Sequence, residues 1–103
     1  MIANLESLLA GGRDDALIRF SLGNAYLGSG KAELAIPHLR AALAHDNNYS
    51  AAWKLLGKAL EATGDPAQAS HTYEEGIAIA EAKGDVQAAR EMRVFLKRAG
   101  GTP

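Results

Sequence analysis

The chain has 103 residues and no cysteine, which fits one domain and excludes disulfides, thiolate metal sites and cysteine nucleophiles. With 11 basic and 12 acidic residues the net charge is −1, so no large basic field exists for non-specific nucleic-acid binding. The N-terminal stretch has no positively charged leader and carries Glu6 among its apolar residues, and no apolar run approaches the roughly 20 residues of a membrane span. The expectation is a soluble cytoplasmic protein.

Alanine supplies 21 residues and leucine 13, against 10 for valine, isoleucine and threonine together. Helix formers dominate, so the fold class reads as all-α. Residues 2–10 place Ile2, Leu5, Leu8 and Leu9 on one helical face before Gly11-Gly12. A second helix is expected from Asp14, read as its N-cap, to Ser29. A third runs from Ala32 to Ala44 and ends in the polar loop His45-Asp46-Asn47-Asn48; Pro37 inside it removes the hydrogen bond to the Glu33 carbonyl and predicts a local bend. A fourth spans Tyr49 to Thr63. The fifth begins at Pro66, with Asp65 as cap and proline in the first turn, and continues to Lys83. The last starts after Asp85 and ends near Ala99, leaving residues 100–103 as a frayed tail.

Sliding the sequence over itself by 34 residues lays residues 16–49 on residues 50–83. Leu22 falls on Leu56, Gly23 on Gly57, Ala25 on Ala59, Gly30 on Gly64, Ala35 on Ala69 and Ala44 on Ala78. Gly23 and Gly57 are the informative pair. Glycine in mid-helix costs about 1 kcal/mol against alanine, and bearing that cost one period apart implies close approach of a second helix. The expected residues at that contact are Ala35 and Ala69.

This pattern resembles the tetratricopeptide repeat, a helix–turn–helix unit of the same length. Trp53, Leu56, Gly57, Ala69 and Tyr73 carry the resemblance in the second repeat; Leu22, Gly23, Tyr26, Ala35 and Ala42 carry it in the first. Departures are Arg19 at the Trp53 position, Leu60 in place of tyrosine and Asn47 where proline usually stands. The resemblance implies a right-handed α-α superhelix of two repeats, residues 16–49 and 50–83. Residues 2–10 would be an N-terminal helix, and residues 85–99 would cap the other end.

Gly28-Ser29-Gly30-Lys31 invites comparison with a phosphate loop. That loop needs a strand before it, a glycine where Ala25 stands and a serine or threonine where Ala32 stands. The stretch instead aligns with Ala62-Thr63-Gly64-Asp65 and reads as a helix stop. His38, His45 and His71 lack metal-ligand spacing and read as solvated helix residues. Asp14-Asp15 and Glu74-Glu75 are neighbours that point about 100° apart on a helix, which does not make an acid–base couple. No catalytic residue, metal or cofactor is expected.

What remains is surface. In the resembled family the first helix of each repeat lines a groove, and those positions fall on Leu17, Phe20, Asn24 and Leu27, then Lys54 and Lys58. The set implies non-catalytic binding of a protein or peptide with an apolar anchor and an acidic or C-terminal carboxylate group. Members that clamp chaperone C-termini carry a set of lysine, asparagine and arginine of which only Asn24 is present, with Phe20, Leu55, Asp85 and Ala89 in the other places, so that ligand is not expected. A second reading makes both lysines ordinary solvated charges, Lys58 beside Glu61, with Phe20 against the N-terminal helix. A third makes the chain a structural subunit whose capping helix, through Phe95 and Leu96, meets a second copy.

Overall fold

In the computed structural model, which describes residues 1–100, the helices are α1 (Ile2–Ala10), α2 (Ala16–Gly28), α3 (Ala32–His45), α4 (Ser50–Ala62), α5 (Pro66–Lys83) and α6 (Val86–Arg98). No strand occurs among the described residues, as an all-α composition requires. The tail expected to fray lies outside the described residues from residue 101 onward.

The starts of α2, α5 and α6 are set by aspartates. Asp65 and Asp85 accept from the backbone N–H groups of Gln68 and Ala88, each at 3.1 Å. In α2 the cap is Asp15, whose carboxylate accepts from Ile18 N–H at 2.8 Å; the expectation of Asp14 is corrected, because that side chain is drawn away by Arg19 and His45. Helix stops repeat as faithfully. Gly30 and Gly64 take left-handed φ values of 75° and 81°, and one residue on, Lys31 N–H donates to Tyr26 O and Asp65 N–H to Leu60 O, both at 2.9 Å. Only glycine adopts that φ without strain, and the bond occupies a carbonyl the helix end leaves free. The stretch that resembles a phosphate loop is such a stop. α3 runs unbroken through exposed Pro37, so the loss of one hydrogen bond does not end it.

α2 packs on α3 and α4 on α5, while α3–α4 and α5–α6 contacts join the pairs and α4 touches both α2 and α6. The mid-helix glycines permit the first two pairings, but with partners other than those expected. A Cβ on Gly23 would stand 2.5 Å from Leu39 Cγ, and one on Gly57 would meet the Tyr73 ring. Leu39 and Tyr73, not Ala35 and Ala69, fill the notches. Both are fully buried, as are Ala35 and Ala69 beside them. Gly76 gives Met92 of α6 the same room, with Met92 Sδ 2.6 Å from the ideal Cβ position.

α6 begins at Val86, 36 residues after Ser50, where α4 begins 34 after Ala16. α5 overruns α3 by four residues and ends at left-handed Gly84, so the period lengthens by two. In that shifted register α6 repeats the burial of α2 and α4: Met92 stands where Leu22 and Leu56 stand, and Ala88 where Ile18 and Ala52 stand, all buried. Arg93 takes the place of Gly23 and Gly57, and it is exposed.

At the other end α1 contributes no buried residue, and its backbone packs beside α2. Among the described residues its one side-chain polar tie is Glu6, which accepts from Tyr26 OH of α2 at 3.3 Å and stands 3.7 Å from His38 Nε2 of α3.

Candidate functional site

The six residues expected to line a groove lie on two neighbouring helices, Leu17, Phe20, Asn24 and Leu27 on α2, Lys54 and Lys58 on α4. Positions three and four apart share a helix face, which is why each group lines up. Leu17 is 62% exposed, Asn24 is exposed, and Phe20 and Leu27 are half-buried against the core. Phe20 stacks on Tyr49, with ring centroids 4.7 Å apart and planes 23° apart. Tyr49, at the N-cap of α4, is a part of this surface that the sequence reading missed.

The two lysines are engaged by α6. Lys54 Nζ lies 3.3 Å from Glu91 Oε1, and Lys58 Nζ stands 4.9 Å from the centroid of the Phe95 ring. Glu61 does not pair with Lys58; it accepts a short hydrogen bond from the Tyr73 hydroxyl. Burial and that bond push the Tyr73 hydroxyl pKa far up, so the phenol stays protonated. Glu91 was not foreseen, and Phe95 was expected to face a second copy, so neither was read as a partner of these lysines. The longer α5 was the available signal.

The polar cluster on the other side of α2 joins the chain to itself. Arg19 binds Asp14 through two hydrogen bonds, 2.8 and 2.9 Å, and His45 Nε2 lies 2.9 Å from Asp14 Oδ1. The two partners hold the Asp14 carboxyl well below the usual carboxylate range. Arg19 also donates to His38 Nδ1 at 3.1 Å, which explains how an arginine replaces the large apolar residue at the Trp53 position. His38 is therefore no solvated histidine. It stacks on Tyr26, with centroids 5.7 Å apart, and burial lowers its pKa. His71 is exposed and pairs with Glu75 at 2.8 Å. Among the described residues no group of three or more His, Asp or Glu side chains is placed to share a metal ion.

Among the described residues no helix is long and apolar enough to cross a membrane. Two tetratricopeptide repeat family models match the chain, one over residues 26–92 and the other over residues 2–48. A TPR repeat-containing protein of Pseudomonas aeruginosa is 52% identical over 98 residues, which span 95% of this chain and 93% of the relative. A protein of Bordetella parapertussis with a solution structure is 46% identical and superposes with a TM-score of 0.86, covering 97% of this chain and 87% of that one. A crystal structure of a tetratricopeptide repeat domain protein from Salinibacter ruber is 25% identical with a TM-score of 0.77, over 86% of this chain and 99% of that one. The paired helices, the glycine notches one period apart and these likenesses agree: the chain belongs to the tetratricopeptide repeat family, whose members are in general non-catalytic protein-interaction modules.

Proposed function

We propose that this chain is a cytoplasmic, non-catalytic interaction module that takes a peptide or protein segment in a groove lined by Leu17, Phe20, Asn24, Leu27, Lys54 and Lys58. The observation that carries the reading is Leu17, 62% exposed one helical turn from half-buried Phe20. Apolar surface that folding leaves uncovered beside an aromatic platform is a seat for an apolar anchor. Exposed Asn24 offers both a donor and an acceptor to a ligand backbone.

The lysines act by exchange. Lys54 already has Glu91, so a ligand carboxylate competes for a cation that is in use. Surface ion pairs are worth about 0.2–1 kcal/mol and this one is only partly buried, which makes exchange cheap and the gain small. Affinity then rests on the apolar anchor, and the lysines select among anchors by charge.

The test is affinity capture from a lysate of the source organism, with the Phe20→Glu, Lys54→Glu protein as control bait, followed by titration of any captured protein. A partner retained by the wild type, lost by the variant and bound directly supports the groove. Identical capture by both baits refutes it.

A further inference from the structure

α6 is the last of the helices that stand side by side on the α2–α4 face, and its outer side has no helix against it among the described residues. In α4, Lys54 and Lys58 point at the next helix, where they meet Glu91 and Phe95. In the shifted register their counterparts on α6 are Arg90 and Val94, both exposed. Lys97 and Arg98 continue the same stripe three and four residues beyond Val94, since those spacings bring side chains to one face.

Charge on this stripe is uncompensated. Of the acidic residues nearest to it, Glu91 is held by Lys54 and Glu81 by Arg93. Arg90, Lys97 and Arg98 have no acidic partner among the described residues. Between the cations lies apolar surface, Val94 at 44% and Val86 at 63% exposure. Lys97 and Arg98 also offset the dipole at the end of α6, but Arg90 stands mid-helix, where that reason does not reach.

We propose that this end face of α6 is a docking surface for an acidic segment of another protein, with an apolar side chain seated on Val94 between carboxylates that meet Arg90, Lys97 and Arg98. Two features select this occupant. A second copy is disfavoured, because a two-fold contact would set these three cations against themselves. The only carboxylates without a hydrogen bond or ion pair among the described residues, Glu33 and Glu74, sit on α3 and α5 and form no complementary stripe. A further repeat helix is disfavoured by Arg93, a long charged side chain standing at the register position where Gly23 and Gly57 leave room for Leu39 and Tyr73. The partner therefore rests on the surface through charge, with affinity that falls as salt rises.

The probe is a fluorescently labelled synthetic helical peptide of glutamate with leucine at helical spacing. Its anisotropy is followed against the full chain in low and physiological salt. Arg90→Glu with Lys97→Glu, both exposed and so compatible with an unchanged circular dichroism spectrum, is expected to weaken binding at least about tenfold. Arg90→Gln with Lys97→Gln should weaken it less. Phe20→Glu should weaken it far less than the Arg90, Lys97 reversal, which separates this surface from the proposed groove. Equal binding by the doubly reversed variant, no binding by the wild type at low salt, or an equal loss in Phe20→Glu would each overturn the proposal. So would retention of the wild type by vesicles of phosphatidylcholine and phosphatidylserine when the peptide does not bind.

Discussion

Replacing Gly57 with alanine sets two known effects against each other. Alanine is the better helix former by about 1 kcal/mol, so on propensity alone α4 gains. Its Cβ, however, would lie 2.6 Å from both Cδ1 and Cζ of Tyr73 and closer still to Cε1, against the 3.5–4.0 Å of ordinary carbon contact. The ring has no easy retreat. It is fully buried, tilted against Phe95 at 5.9 Å between centroids, and its hydroxyl is tied to Glu61. Overpacking of a closed core costs about 1–3 kcal/mol, and a rigid ring without an exit belongs at the upper end. The expected net loss is about 2 kcal/mol, or about 8–16 °C in Tm for a domain of this size. Urea and thermal unfolding followed by circular dichroism measure it. Two companions make the test specific. In a Tyr73→Leu background the same change should cost little, since the obstructing ring is gone. Gly28→Ala, with nothing within 4 Å of its ideal Cβ, should stabilise by about 0.4–1 kcal/mol. A Gly57→Ala protein as stable as the wild type, or equally destabilised in both backgrounds, would refute the close-approach reasoning.

Tyr73→Phe keeps the ring and removes the bond to Glu61, and should cost about 1 kcal/mol in urea unfolding; no change would mean that the hydroxyl bonds equally well to water. Reversing Lys54 to Glu should destabilise the chain slightly and Glu91→Lys should recover part of the loss, with a coupling of about 0.2–1 kcal/mol from a double-mutant cycle. Burial lowers the His38 pKa, so as pH falls the unfolded chain takes up that proton first. Stability should therefore drop as pH falls from the usual histidine value of about 6.5 towards the lower folded value, and level off below it. The groups facing His38 are Glu6, Arg19, Tyr26 and Asp14. Unfolding at about pH 7.5 and about pH 5 should show a smaller loss for His38→Gln than for the wild type; equal losses would remove His38 from the account.

Much of the fold was legible because its signals are local. Period, capping aspartates, glycine stops and the proline in the first turn of α5 each act within a few residues, so the helices were found to within about two residues of their ends. The misreadings lie where two local candidates compete. Asp14 and Asp15 are equally good caps on paper, and the choice went to Asp15 because Arg19 and His45, one of them 31 residues away, claim Asp14.

The sequence by itself determined the all-α class, the 34-residue period and the need for two close helix crossings, since backbone propensity and steric cost are written in residue type. Tertiary structure decided what fills those crossings, and which charges are free. Gly57 announces a notch, but only packing chooses Tyr73 over Ala69 to occupy it. Lys54 and Lys58 read as a free cationic pair until the longer α5 shifts α6 by two residues and brings Glu91 and Phe95 against them. The physical reason is one of range: helix formation depends on neighbours along the chain, whereas the pairing of side chains depends on where two helices meet, which a shift of two residues re-aims.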